Sequence, residues 1–150
     1  MCTDLIVANF VEAIKSTLAS SDLPHFLGGS RRFGYDRPES DIDFFVLAND
    51  KEIERALIFG FSKIGFRKMP HEEGYSLHPL FRTILVLQEV CHIVILNNED
   101  GYFNLKREHE RIELFLEKEP RLRDLCRELG SLKVKGTYIY RALCQLLLNS

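Results

Sequence analysis

The chain lacks the features that mark several common classes of protein. None of its four cysteines lies in a C-x-x-C pair, which argues against a structural zinc site. Three of them fall in apolar stripes, which is typical of reduced core thiols in a cytosolic protein. The net charge of -2 provides no global basic field for nucleic acid, although a local basic groove remains open.

Long apolar runs are also missing. No stretch approaches the ~20 apolar residues that span a bilayer. The first residues carry neither the basic n-region nor the apolar h-region of a signal peptide. We therefore expect a cytoplasmic protein with no membrane contact. The 150 residues are 45% hydrophobic and 28% charged, a composition that suits one folded domain over residues 1–150.

The spacing of apolar residues predicts the order of the secondary-structure elements. Helices are expected over residues 4–18 and 50–64, and then over 102–116, 120–129 and 138–148. Strands are expected at 25–27, 41–46, 66–69, 82–87 and 91–96. This order predicts an α+β fold: a small mixed sheet with helices packed on one face and a helical C-terminal part over residues 100–150.

The most informative segment, Gly28 to Val46, reads G-G-S-R-R-F-G-Y-D-R-P-E-S-D-I-D-F-F-V. A strand runs into Gly28-Gly29-Ser30, which we call the glycine turn. Glycines let the backbone approach a phosphate, and free amides at a following helix start attract anions. The Ser30 hydroxyl can add a hydrogen bond to the same phosphate.

Asp41 and Asp43 alternate on the next strand, so their side chains point to the same face. Two neighbouring carboxylates repel one another, and a cation between them relieves that cost. Because only a short loop separates them from the glycine turn, the two features can converge on one triphosphate. The combination is typical of phosphoryl transfer assisted by two Mg²⁺ (or Mn²⁺) ions.

The segment resembles the signature of the DNA polymerase β-like nucleotidyltransferase superfamily, in the spacing of the minimal nucleotidyltransferases. The residues on motif positions are Gly29, Ser30, Arg31, Gly34, Ser40, Asp41 and Asp43. The resemblance implies a nucleotidyltransferase-like fold in which Gly29 and Ser30 hold phosphates and Asp41 and Asp43 hold the metal. Arg31 and Ser40 are further candidates for nucleotide binding, with a solvated loop charge as the alternative for Arg31.

The later sequence is more weakly similar to the GrpB-like branch of this superfamily. The similar features are G-F-R at Gly65 to Arg67, the Phe81-Arg82 neighbourhood and C-H-I-V-I-L at Cys91 to Leu96. Arg82 is a candidate for the nucleotide cleft, and a solvated strand end is the alternative.

The third carboxylate that polymerase β-like enzymes usually carry on a later strand is missing. The strand from Cys91 to Leu96 contains one ionisable residue besides its cysteine, His92. Three interpretations follow. His92 is the general base, because its ordinary pKa suits proton transfer at neutral pH; or Glu89 reaches the site from the turn before the strand; or catalysis is lost.

The expected function is metal-dependent transfer of a nucleoside monophosphate from a nucleoside triphosphate to a hydroxyl, with release of pyrophosphate. The acceptor is a protein, an RNA end or a small molecule. Two alternatives stay open. One is a degenerate nucleotidyltransferase that binds nucleotide without turnover, and the other is a partner-binding module such as one half of a toxin–antitoxin pair.

Overall fold

The computed structural model describes residues 2–69, 81–88 and 90–149, without the side chains of residues 2–8, 10, 81, 82 and 137. The helices of this part are α1 (Cys2–Ser21), α2 (Gly29–Phe33), α3 (Lys51–Ser62), α4 (Glu99–Lys118), α5 (Pro120–Ser131) and α6 (Gly136–Leu148). The strands are β1 (His25–Gly28), β2 (Ile42–Leu47), β3 (Arg67–Lys68), β4 (Phe81–Leu87) and β5 (Cys91–Leu96).

These strands form one sheet in the order β1-β2-β5-β4-β3. β2 and β5 run parallel, whereas the other three pairings are antiparallel. The predicted α+β class and mixed sheet are therefore confirmed. In the part of the chain that is described, no helix combines the length and apolar character needed to cross a membrane.

Helices cover both faces of the sheet, so the predicted packing on a single face is corrected. Side chains alternate along β2: Phe44 and Val46 pack with α1 and α3 in one core cluster. Phe45 and Leu47 face the other way and pack with Tyr102 of α4 in a second cluster. Central strands buried on both faces need apolar residues at successive positions, as β2 has after Asp43.

A third cluster joins the C-terminal helices to the short helix α2. Phe33 of α2 and Tyr35 are buried against α4, α5 and α6. The apolar partners from those helices are Ile112, Leu116, Cys126, Ile139 and Leu143. The predicted helical C-terminal part therefore supports the segment that directly follows the glycine turn.

Several local predictions are also resolved. Cys91 and Cys126 are buried free thiols and Cys144 is a partly buried one, as the apolar stripes predicted. The strand expected at 66–69 is reduced to Arg67–Lys68. Glu89 lies outside the described residues.

His109 of α4 is buried among aromatic rings, with 2% of its surface exposed. Its ring centroid lies 5.0–5.3 Å from those of Phe26, Phe33, Phe45 and Tyr140. Its Nδ1 lies 2.9 Å from the carbonyl oxygen of Leu105. Burial lowers the pKa of His109 from 6.5 to about 4, so the ring is neutral in the folded protein at neutral pH.

This burial predicts a pH-dependent stability. Between pH 6.5 and about 4, the unfolded chain takes up a proton at His109 that the folded protein excludes. The free energy of unfolding therefore decreases as the pH is lowered through this range. The loss is on the order of 3 kcal/mol over that window. Denaturant unfolding at steps from pH 8 to pH 4.5 should show a shallower loss in His109→Asn.

The comparison is internally controlled, because the other titrating groups are the same in both proteins and cancel in the difference. Each protein is referenced to its own stability at pH 8, where the imidazole is neutral in both states. Parallel stability curves for the two proteins would contradict this account of His109.

Candidate active site

The pairing of β1 with β2 places the glycine turn against the second carboxylate. Gly28 is the register partner of Asp43. The next residue, Gly29, has φ +69°, and a Cβ built on it would lie 2.6 Å from Asp43 Oδ2. Only glycine meets both conditions, since the left-handed conformation strains other residues and the carboxylate fills the space of a side chain.

Gly28 is needed for a different reason. A Cβ on this residue would lie 2.4 Å from Phe45 Cε2 and 2.8 Å from His109 Nε2. The strand therefore approaches the aromatic cluster so closely that no side chain fits. The sequence did not identify His109 as a neighbour of the glycine turn; its only signal was a position in the apolar stripe of α4.

His92 lies beside both carboxylates. It is the register partner of Asp43 across the parallel pair β2 and β5. Its Nδ1 is 3.3 Å from Asp43 Oδ1 and 3.8 Å from Asp41 Oδ2. Asp41 is the most exposed of the three side chains and His92 the most buried. The structure thus brings together the three residues that the sequence selected as catalytic candidates.

The preceding residue, Cys91, belongs to the opposite face of the sheet, in the cluster that packs against α1 and α3. Burial, with the negative charges of Asp43 and Asp41 adding to it, raises the pKa of the Cys91 thiol to about 12. The thiol therefore stays protonated at neutral pH and does not extend the polar cluster.

The other predicted nucleotide contacts have different surroundings. The guanidinium of Arg31 is hydrogen-bonded within the loop that leads to Asp41. The Ser40 hydroxyl accepts a hydrogen bond from the backbone N–H of Arg37 at 2.8 Å. Arg82 belongs to β4, and its side chain is outside the described part. A role for these three residues in nucleotide binding stays a prediction.

Arg32, next in the chain, is held by the core around β1. Its Nε is 3.3 Å from Glu113 Oε2, and Nη1 donates to the carbonyl oxygen of Leu27 at 3.3 Å. Its guanidinium also lies 5.6 Å from the centre of the Phe26 ring. These contacts anchor α2 to β1 and to α4, immediately after the glycine turn.

The carboxylates of Asp41 and Asp43 could bind a metal ion only together with a ligand that supplies further oxygen atoms. Asp41 and Asp43 offer the carboxylate oxygens that Mg²⁺ prefers, and Mg²⁺ commonly completes its shell with water and substrate phosphates. Over the described ranges, no three His, Cys, Asp or Glu side chains form a group that could hold a metal ion. The residues therefore suit an ion shared with nucleotide phosphates rather than one enclosed by protein.

Comparison with known proteins supports the fold. No protein-family profile matches the chain, and no curated protein matches it. Among solved structures, the chain is similar to that of the conserved protein GrpB from Enterococcus faecalis. The TM-score is 0.62 at 18% sequence identity, over 95% of this chain and 92% of GrpB. At this identity the likeness shows a shared fold, and the chemistry must be argued from the site.

The close approach at Gly29 predicts an unequal effect of two glycine substitutions. Gly29→Ala should destabilise the protein by about 1–3 kcal/mol, because its alanine is strained at positive φ and meets the Asp43 carboxylate. Gly60→Ala is the matched control: Gly60 lies in α3 and a Cβ there has nothing within 4 Å. It should be neutral or stabilising by up to about 1 kcal/mol. Urea unfolding measures both, and equal effects would contradict the assigned contact.

Proposed function

We propose that the protein is a metal-dependent nucleotidyltransferase. It would transfer a nucleoside monophosphate from a nucleoside triphosphate to a hydroxyl acceptor and release pyrophosphate. The observation that carries the proposal is the convergence of the glycine turn, Asp41, Asp43 and His92 at one end of the sheet. The similarity in fold to GrpB does not by itself support this function, because a shared fold at 18% identity does not imply a shared activity.

Each feature has a task in this reaction. The bond between the α-phosphorus and the pyrophosphate oxygen breaks as the acceptor oxygen bonds to the same phosphorus, and the acceptor hydroxyl loses its proton to water. The backbone N–H groups of the glycine turn would donate to the phosphates, and the Ser30 hydroxyl could add a hydrogen bond. Asp41 and Asp43 would hold Mg²⁺ or Mn²⁺ jointly with phosphate oxygens. Such an ion stabilises the negative charge that develops during phosphoryl transfer.

We assign His92 an orienting role in this site. Its Nδ1 faces Asp43 Oδ1 at 3.3 Å and Asp41 Oδ2 at 3.8 Å. Partners behind metal-binding side chains fix their orientation and raise their affinity for the metal. The role of general base, which the sequence suggested, requires proton transfer from the acceptor hydroxyl and is a separate outcome of the experiment below.

A second function is favoured by one observation. The described residues of β5 include no carboxylate, and a histidine stands next to Asp43 instead. A site with two carboxylates can bind a metal–nucleotide complex while activating the acceptor poorly. The alternative is therefore a nucleotide-binding protein or partner-binding module without turnover.

Nucleotide binding is the first measurement. In thermal unfolding with ATP, CTP, GTP or UTP, at least one nucleotide should stabilise the protein only when Mg²⁺ is present. A ligand at ~100-fold excess over its Kd contributes about 2.7 kcal/mol, or roughly 5–10 °C for a chain of this size. Asp41→Asn combined with Asp43→Asn should abolish the shift.

The matched control is Glu110→Gln combined with Glu117→Gln, which removes the same charge from exposed positions of α4. It should retain the nucleotide-dependent shift. Absence of a shift with every nucleotide would reject the enzyme and favour the partner-binding module. If binding occurs, labelled triphosphate with a cell extract tests transfer, and label that reaches no protein, RNA or metabolite supports binding without turnover.

Two substitutions separate the roles of His92. His92→Asn keeps an N–H donor beside the carboxylates but cannot act as a base, whereas His92→Ala removes both properties. With an orienting role, His92→Ala should weaken Mg²⁺–nucleotide binding roughly 10-fold and His92→Asn should bind nearly as the wild type. Normal binding by both variants with turnover lost in both would assign His92 as the base. Circular dichroism confirms that each variant is folded.

A further inference from the structure

Asp41 lies just outside the sheet, and its position therefore needs a separate explanation. β2 begins at Ile42, whose backbone N–H donates to the carbonyl oxygen of Val90 at 2.8 Å. This bond fixes the chain on the C-terminal side of Asp41. On the N-terminal side comes the loop from Tyr35 to Ser40, which follows α2 and its C-cap Gly34. Whatever holds Ser40 also holds the Asp41 backbone.

The guanidinium of Arg31 is what holds Ser40. Nε and Nη2 both donate to the Ser40 carbonyl oxygen, at 3.2 and 2.8 Å. Nη2 also contacts the carbonyl oxygens of Arg37 and Pro38 at 3.4 and 3.3 Å. Nη1 pairs with Asp36 Oδ2 at 3.2 Å. One side chain, 15% exposed, thus binds four residues of the loop.

This arrangement suits arginine in particular. The guanidinium is a rigid planar fork, so its donors can fix several acceptors in one geometry, whereas the lysine ammonium is a point charge on a flexible stem. Hydrogen bonds from a charged donor are also stronger than neutral ones. Since the acceptors are mainly backbone carbonyls, the contacts define the path of the loop itself.

Arg31 also connects the two halves of the site. It directly follows Ser30 in α2, and the Ser30 carbonyl accepts the N–H groups of Gly34 and Tyr35 at 3.0 and 3.3 Å. The helix that starts at the glycine turn therefore carries the side chain that holds the carboxylate loop. Arg31 therefore links the glycine turn to the loop before Asp41.

We propose that Arg31 is a positioning residue that holds Asp41 through the Ser40 carbonyl, instead of contacting the triphosphate directly. The inference rests on the proposed function, because it concerns the metal-binding role of Asp41. The sequence motif suggested that Arg31 contacts a phosphate; in the present proposal Arg31 instead fixes the conformation of the loop before Asp41.

The proposal is tested by whether Mn²⁺ binding becomes weaker or tighter when Arg31 is replaced. Mn²⁺ alone, without nucleotide, is titrated into wild type, Arg31→Ala, Arg31→Lys and Arg37→Ala. Loss of a nearby positive charge by itself would tighten cation binding. Loss of a support for Asp41 should instead weaken Mn²⁺ binding, by roughly 10-fold as for other residues behind metal ligands. Arg31→Lys should be weakened as well, because it keeps the charge without the fork.

Arg37→Ala is the matched control. Arg37 belongs to the same loop, and its guanidinium pairs with Glu39, the more exposed partner of the two. Its removal should leave Mn²⁺ affinity unchanged or slightly tighter. Unchanged or tighter Mn²⁺ binding by Arg31→Ala would overturn the proposal. Weaker binding of metal-free tripolyphosphate by the same variant would then identify Arg31 as a phosphate ligand.

Hydrogen exchange separates this inference from the proposed function. If wild type binds no Mn²⁺, the proposed function fails, and the positioning role is decided by amide exchange in the metal-free protein. Arg31→Ala should speed exchange at Ser40 and Ile42, whose N–H groups donate to Arg37 and Val90 carbonyls, relative to Arg37→Ala. Equal exchange in the two variants would overturn the positioning role, whatever the metal result.

Discussion

The contact between the glycine turn and Asp43 is the constraint on which the rest of the site depends. Antiparallel pairing of β1 with β2 fixes Gly28 opposite Asp43, and the positive φ of Gly29 then turns the chain past the carboxylate. A side chain at either glycine would occupy space already filled by Asp43, Phe45 or His109. The requirement for two glycines is therefore one of packing as well as of backbone conformation.

The second constraint is electrostatic. Asp41, immediately before β2, and Asp43, within it, place two negative charges at the start of the strand. Neighbouring carboxylates destabilise one another unless a positive charge or donor offsets them. His92 lies beside them on the adjacent strand, with Nδ1 3.3 Å from Asp43 Oδ1 and 3.8 Å from Asp41 Oδ2. A third carboxylate at this position would add repulsion that only a bound cation relieves. A histidine at this position adds no such repulsion.

Local sequence patterns predicted much of this arrangement, whereas the rest depends on pairing between distant segments of the chain. Alternation predicted that Asp41 and Asp43 lie on the same side of the chain, although β2 begins only at Ile42. The registers of Gly28 with Asp43 and of Asp43 with His92 are contacts between distant segments, which no local pattern specifies. The loop contacts of Arg31 depend likewise on where the chain turns. The presence of helices on the second face of the sheet could have been predicted, because a continuous apolar run such as Phe44 to Leu47 indicates a strand buried on both sides.

The C-terminal helices pack against the segment that follows the glycine turn and so support the site. Phe33 and Tyr35, on either side of Gly34, are buried among side chains of α4, α5 and α6. Arg127 of α5 donates to the Gly34 carbonyl oxygen. α2 is only five residues long, too short to be stable without such packing. The glycine turn and the Arg31 side chain are therefore ordered by helices that begin more than sixty residues later, and the site cannot be separated from them.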